Sequence, residues 1–151
     1  MATLLIRYLN IIMAGLISGI MLGIWLGYNP KTLSVETYVE QQQSVIKSLN
    51  TLMPLLGLVT ILLTLFSGFL QKNNPAILIT LLIAALLLII SGLVTKLGNQ
   101  PINSIVSTWN KNNSPADWTE FRDKWWSFHI IRTLTALIAF CLIVWTGIRK
   151  D

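Results

Sequence analysis

The sequence is poor in the residues from which most soluble enzyme and metal sites are built. Its 151 residues include one cysteine, one histidine and six acids, and 11% are charged. Soluble domains are about 25% charged, so this chain falls well outside that class. A single cysteine, Cys141, rules out an intrachain disulfide or a paired-cysteine redox motif. A single histidine, His129, cannot form the cluster that zinc or copper requires. We therefore predict no metal site and no cofactor.

Apolar residues dominate what remains. Hydrophobic residues make up 54% of the chain, and the mean hydropathy is +0.67. Uncharged runs are long enough to cross a hydrocarbon core of ~30 Å. We predict one all-α integral membrane domain over residues 1–151, a bundle of four transmembrane helices with an amphipathic cap helix and a long polar connection on one side. The expected spans are about 8–28, 52–70, 76–95 and 128–148, and the cap segments are about 32–50 and 98–127.

The net charge of +5 indicates a membrane surface as partner, with no nucleic acid, because the basic residues lie mostly at the ends of the spans. Four spans put both termini on one side, with the tight turn Gln71–Pro75. More basic residues lie at the longer connections than at the termini and the tight turn, and this count favours termini outside the cell. If the basic residues of the longer connections belong to a folded site, they do not report orientation, and the termini lie inside. We expect termini in the cytoplasm and a multi-pass protein of a bacterial inner membrane.

The first span carries glycine at every fourth position. Gly15, Gly19, Gly23 and Gly27 form a small-residue ridge that lets another helix backbone approach closely. Such a ridge packs helices more often than it admits a flat ligand, and its partner could be a second copy or another membrane protein. The third span carries no ionisable group, and we expect it to be lipid-facing scaffold.

The segment before and within the last span is chemically richer. On a helix, residues at alternating spacings of four and three share one face. That face carries Trp118, Arg122, Trp125, His129, Arg132 and Ala136. A polar seam is costly in a membrane unless it faces protein or water, so we predict that it lines a shared cavity.

The seam suggests named roles. Arginines beside His129 favour a neutral imidazole, the form that a general base requires, and they could hold an anionic oxygen. We assign His129, Arg122 and Arg132 as catalytic candidates, with a histidine that merely joins helices as the alternative. Indole faces stack on flat aromatic ligands, although an interfacial aromatic belt explains the tryptophans equally well. The ligand-binding candidates are Trp118, Trp125, Trp109, Asn99, Asn103, Gln43 and Glu40.

Several motifs resemble a known family. They are YVEQQQ at Tyr38–Gln43, LNTLMP at Leu49–Pro54, GNQPIN at Gly98–Asn103, PADW at Pro115–Trp118 and RDKWWSFHIIR at Arg122–Arg132. In this order they resemble small membrane proteins catalogued as a domain of unknown function and also called anthrone-oxygenase-like. The glutamine run and the Trp-Trp-x-x-His motif are similar to those of the bacterial members.

The resemblance implies an activity assigned to some fungal members, the oxidation of an anthrone to an anthraquinone. It implies a hydrophobic aromatic substrate, molecular oxygen as co-substrate, His129 as base, Arg122 and Arg132 as oxyanion partners, and Trp118 and Trp125 as slot walls. Two other interpretations stay open. One is a non-catalytic module that binds a lipid or quinone, and the other is an accessory subunit that packs through the glycine ridge.

Overall fold

The computed structural model describes residues 1–149 as a bundle of helices; Lys150 and Asp151, the end of the predicted domain, lie outside the described residues. The helices are α1 (Ala2–Gly27), α2 (Val35–Leu49), α3 (Leu52–Leu70), α4 (Pro75–Val94), α5 (Gln100–Val106) and α6 (Trp118–Ile148). A short 3-10 turn (Pro30–Thr32) precedes α2, and a π-helical turn (Thr95–Asn99) joins α4 to α5.

Four helices in the described part of the chain are long and apolar enough to cross a membrane. They lie at Ala2–Thr32, Leu52–Leu70, Pro75–Val106 and Trp118–Ile148. This confirms the prediction of an all-α, four-span integral membrane protein. Because α6 has 31 residues, it is ~46 Å long. It therefore extends beyond the hydrocarbon layer on one side.

Small residues let the long helices pack closely. Ala14 of α1, Ala84 of α4 and Ala139 of α6 are fully buried in one apolar cluster.

The ends of the helices are fixed by hydrogen bonds. After α3, the Asn74 side chain accepts from the backbone N–H of Ile77 at 3.3 Å and so caps the start of α4. The Arg7 guanidinium near the start of α1 donates to the carbonyl of Thr146 near the end of α6, at 2.8 Å. The start of α1 and the end of α6 therefore lie at one end of the bundle.

A cap covers the other end of the bundle. Tyr38 and Val39 of the amphipathic helix α2 are buried against Val106 of α5 and against the indoles of Trp125 and Trp126 on α6. Ser34 begins α2 by accepting from the backbone N–H of Thr37 at 3.4 Å. The cap thus packs around aromatic rings from the first turns of α6.

Residues 95–106 differ from the expected polar connection. They continue α4 as a π-helical turn followed by α5. Pro101 explains the π turn, because proline lacks an N–H and its ring clashes with the carbonyl four residues earlier. The extra residue of a π turn shifts the hydrogen-bonding pattern, so that the proline no longer meets that carbonyl. Such turns are frequent at functional sites.

The glycine ridge of α1 is packed only at one point. A Cβ built at Gly15 lies 3.3 Å from the Phe140 ring, whereas one at Gly19, Gly23 or Gly27 has nothing within 4 Å. Within the described chain, an added Cβ at these three glycines therefore meets no neighbouring helix. A four-residue repeat turns by about 40° per step around a helix, which carries the stripe off the buried face. Packing against another chain stays a prediction.

We predict that Gly98→Ala destabilises the fold. A Cβ at Gly98 would lie 2.7 Å from Cγ of Phe128, and this atom, at the base of the partly buried ring, can move only if the whole ring or the backbone moves. The free energy of unfolding should fall by about 1–3 kcal/mol, measured by denaturant unfolding in detergent. Gly92→Ala is the control, since a Cβ there meets nothing within 4 Å. Equal stability of the two variants would contradict this packing.

Candidate functional site

The centre of the site is a contact between two residues of the predicted seam. On α6, Arg132 donates from Nη2 to Nδ1 of His129 at 3.0 Å, and from Nε to the same atom at 3.2 Å. The other imidazole nitrogen, Nε2, lies 3.2 Å from the carbonyl oxygen of Met21 on α1. Both nitrogens of the imidazole are therefore occupied, and the ring has no exposed surface.

These partners fix the protonation of the imidazole. A guanidinium only donates, so Nδ1 must accept. A carbonyl oxygen only accepts, so Nε2 must carry the proton. His129 is thus held as the neutral Nε2–H tautomer. The predicted neutral imidazole follows here from its hydrogen bonds.

Arg132 is a cation inside the bundle, with 8% of its surface exposed. Its Nη1 donates to Oγ1 of Thr95 at 3.3 Å, and its guanidinium lies 5.9 Å from the ring centroid of Trp125. Among residues 1–149, no carboxylate lies within ion-pair distance of it. A guanidinium has five N–H groups, and these bonds leave one N–H on each Nη nitrogen. That pair is suited to a two-pronged contact with an anionic oxygen.

Two hydroxyl groups, those of Ser91 and Thr95, link α4 to α6 by hydrogen bonds at Arg132. Ser91 donates its hydroxyl to the carbonyl of Arg132 at 2.9 Å. Thr95 donates its own hydroxyl to the carbonyl of Ser91 at 2.9 Å, which leaves its lone pairs for Nη1 of Arg132. Thr95 is also the first residue of the π turn. The change of helical register therefore coincides with the polar contact.

Aromatic rings enclose the imidazole from the cap side. The Trp125 ring stacks on His129 with centroids 5.1 Å apart and planes at 6°, and Trp126 lies 5.7 Å from the same ring. Trp125 donates its indole N–H to Oδ1 of Asn103 at 2.8 Å. Asn103 in turn donates to Oδ1 of Asn50 at 2.7 Å. The stack is thereby anchored to α5 and to the end of α2.

An apolar cavity of about 200 Å³ lies beside Arg132. Its walls come from α1, α3, α4, the π turn, the first residue of α5 and α6, so it lies within the bundle. The lining residues are Ile17, Met21, Met53, Pro54, Gly57, Leu58, Ile61, Leu88, Ser91, Gly92, Thr95, Lys96, Gln100 and Arg132. The only cations among them are Lys96 and Arg132, and none of them is acidic.

Two further spaces adjoin this cavity. A pocket of about 30 Å³ shares Met53, Thr95 and Arg132 with it and reaches Asn103 and Trp125. An open groove of about 600 Å³ shares Pro54, Lys96 and Gln100 with it and is otherwise lined by Asn50, Thr51, Pro101 and Ser104. A cavity of ~150 Å³ holds one benzene ring. A flat molecule of two or three rings would therefore extend from the cavity into the groove.

The third span is more than scaffold. Leu88, Ser91 and Gly92 of α4 line the cavity directly, and Ala84 packs in the core. The expectation of a purely lipid-facing helix is wrong for this face. Small residues and hydroxyls in a leucine-rich run carry the signal, since they let another helix or a ligand approach.

The structure does not bring Arg122 to His129. Its Nε donates to Oδ1 of Asp123 at 2.9 Å, and its guanidinium lies 4.9 Å from the Trp118 ring. Two helical turns separate Arg122 from His129, ~10 Å along the axis. Arg122 and Trp118 form a separate contact at the cap surface. Nζ of Lys31 also lies there, 3.9 Å from Oδ2 of Asp123.

The remaining candidates hold the cap together. Gln43 donates to the carbonyls of Val106 and Trp109 at 3.0 and 2.9 Å. Asn99 donates to the carbonyl of Trp125 at 3.0 Å. Glu40 pairs with Lys111 at the surface. These bonds satisfy backbone or surface groups, and none of the three side chains lines the cavity. Trp109 packs edge-on against Phe121, with centroids 5.6 Å apart.

Sequence reasoning missed Thr95, Lys96, Gly92 and Gln100, which lie around the cavity. Gln42, which the sequence indicated only as part of the glutamine run, is buried and accepts from the Tyr28 hydroxyl at 3.2 Å. Within residues 1–149, no group of three or more histidine, cysteine or acidic side chains could hold a metal ion. The absence of a cofactor stays a prediction.

We predict that Asn103→Leu destabilises the cap. The indole N–H of Trp125 would lose its acceptor inside the protein, which costs about 1–3 kcal/mol of unfolding free energy. Near-ultraviolet circular dichroism during thermal unfolding measures it, because the tryptophans dominate that signal. Ser104→Ala is the control at a neighbouring exposed position, where the hydroxyl bonds only to the Gln100 carbonyl. If both variants unfold at the same temperature as the wild type, the hydrogen bond between Asn103 and Trp125 contributes nothing to the stability of the cap.

Comparison with known proteins adds one finding. Residues 43–142 match the family described as anthrone oxygenase. No curated protein and no solved structure matches the chain. The matched residues cover about two thirds of the chain and include the cavity walls from α3, α4 and α6. The chain is a multi-pass membrane protein that belongs to the anthrone oxygenase family.

Proposed function

We propose that this protein oxidises a flat, lipid-soluble phenol or enol with molecular oxygen, without a resident cofactor. Membership of the anthrone oxygenase family supports the reaction class. The observation that carries the proposal is the guanidinium of Arg132, which is buried, has no acid partner in the described chain and lines an apolar cavity. A cation in such a place stabilises an anion that enters the cavity.

Arg132 is the oxyanion partner in this proposal. An anthrone has an acidic C–H bond, and the charge of its conjugate base lies mainly on the carbonyl oxygen. That oxygen would accept from the two remaining N–H groups of Arg132. His129, Thr95 and Trp125 hold the guanidinium from its other sides. The cation needs no rearrangement when the enolate forms, which is the condition for effective electrostatic catalysis.

His129 is the proposed proton acceptor, and it acts through Arg132. The enol form of the substrate places its O–H at Arg132; as the guanidinium passes an N–H proton to Nδ1 of His129, it takes this O–H proton, so its own charge is unchanged. The imidazole does not line the cavity itself, so direct abstraction would require Arg132 to leave Nδ1. Its hydrogen bond to the Met21 carbonyl keeps Nε2 protonated and orients Nδ1 toward Arg132.

The overall reaction balances without another reductant. The enolate transfers one electron to O₂, and the two radicals combine to form a carbon–oxygen bond. The peroxide takes a proton back from the imidazolium. Loss of the second C–H proton then breaks the O–O bond and releases water. A ring CH₂ and O₂ thus become a carbonyl and H₂O, and the protein is unchanged.

A binding module without turnover is the second candidate. The observation that favours it is that both imidazole nitrogens are already occupied. A lipid or quinone would then use the cavity and Arg132 without proton transfer. The location in a bacterial inner membrane, with cytoplasmic termini, belongs to either candidate as a prediction.

We predict that Arg132→Gln lowers kcat for anthrone oxidation about 100- to 1,000-fold, the cost of removing one strong oxyanion donor. Anthraquinone formation in proteoliposomes, followed by absorbance, measures it. Arg122→Gln is the matched control, an arginine on the same helix that bonds to Asp123 outside the cavity. Equal loss in both variants, or in neither, would contradict the role of Arg132.

We predict that His129→Gln separates the two candidates. Glutamine can still accept from Arg132 and donate to Met21, but it cannot take a proton. If the protein is an oxygenase, turnover falls by about two orders of magnitude or more, while binding of unreactive anthraquinone is kept. Turnover at the wild-type rate in this variant would exclude the proton relay. No turnover in the wild type itself would favour the binding module.

A further inference from the structure

The cavity beside Arg132 reaches the outer surface of the bundle between α3 and α4. Leu58 of α3 and Gly92 of α4 both line it. Leu58 is 53% exposed, and Gly92 is also exposed. A residue that lines the cavity and also lies on the outer surface marks the rim of an opening. The opening therefore lies on the side of the bundle.

The opening exists because side chains are missing there. A Cβ built at Gly92 meets no atom within 4 Å. A Cβ at Gly57, the glycine of α3 on the same wall, meets only the tip of Ile17 at 3.5 Å. Both helices thus contribute a glycine to the cavity wall, and a larger side chain at Gly92 would extend into open space.

The surface around the opening is hydrocarbon. Leu62 and Leu93 are 56% and 53% exposed on the two helices that form it, as expected of side chains that contact lipid tails. Leu58 lies six residues after the start of α3, ~9 Å along its axis. Gly92 lies two residues before the end of α4. The opening therefore lies in the lipid layer, just below the headgroups on the cap side.

The polarity of the walls matches an amphipathic flat molecule at that depth. Leu58, Ile61 and Leu88 offer apolar surface, whereas Thr95 and Arg132 lie toward the cap. A phenol or enol in a bilayer keeps its oxygen near the headgroups and its rings among the lipid tails. Such a molecule moving sideways would present its oxygen to Arg132 without inverting.

We infer that the ligand enters this cavity from the bilayer through the gap between α3 and α4, and that Gly92 determines which molecules pass. The identity of the ligand as a flat phenol or enol rests on the proposed function. The position of the opening does not, since it follows from the lining residues and the glycines. A binding assay that needs no turnover therefore tests it separately.

The test is binding of anthraquinone to protein in phosphatidylcholine vesicles, measured by quenching of tryptophan fluorescence. Gly92→Leu fills the gap and should weaken binding at least tenfold. Gly23→Leu is the matched control, because Gly23 also lies in a membrane span with nothing within 4 Å of an added Cβ and lines no part of this cavity. Its binding should equal that of the wild type.

A second pair of variants guards against misfolding of Gly92→Leu. Leu58→Trp enlarges an exposed side chain on the rim, and Leu62→Trp does so one turn away, outside the cavity. Only the first should weaken binding; quenching is measured relative to each variant without ligand. Binding at the wild-type level by both Gly92→Leu and Leu58→Trp would overturn the inference. It would also be overturned if a lipid chain filled the gap between α3 and α4 and anthraquinone did not bind there. If Gly92→Leu loses binding while Arg132→Gln oxidises normally, the opening stands and the proposed function fails.

Discussion

The hydrogen bond between Arg132 and His129 is the interaction on which the rest of the structure depends. A guanidinium inside a membrane bundle has lost its water, and an isolated charge there is costly. The structure offsets this cost with a neutral imidazole, a threonine hydroxyl and an indole face. None of these partners neutralises the charge. The site therefore keeps a net positive charge and the capacity to stabilise an anion.

Other features of the fold follow from holding that cation in place. The imidazole can accept from Arg132 only if Nε2 finds an acceptor, and the Met21 carbonyl of α1 provides it. Thr95 reaches Nη1 from the first residue of the π turn. The tryptophan stack keeps the imidazole plane fixed. Helices α1, α4 and α6 thus meet at one polar point, and the cavity lies beside it.

The sequence was sufficient for the four spans, the cap helix and the inward face of α6, because hydrophobic length and helical period are local properties. It placed Trp125, His129 and Arg132 on one buried face. Arg122 shares that face but bonds to Asp123, because it lies in the cap, where an acid is in reach. Thr95 and Lys96 had no local signal, and Gly92 had only its small size within a leucine-rich run. Their role comes from the neighbours that α3 and α6 bring to them, which depends on tertiary packing.

A single histidine makes the central claim directly measurable. In protein labelled with ¹⁵N-histidine, the only imidazole is that of His129, so its two nitrogen resonances in magic-angle-spinning spectra of proteoliposomes need no assignment by mutation. We predict one protonated nitrogen, Nε2, and one unprotonated nitrogen, Nδ1, at neutral pH, with the Nδ1 resonance shifted in Arg132→Gln and unshifted in Arg122→Gln. An imidazolium with both nitrogens protonated, or an Nδ1 resonance that does not respond to Arg132, would contradict the account.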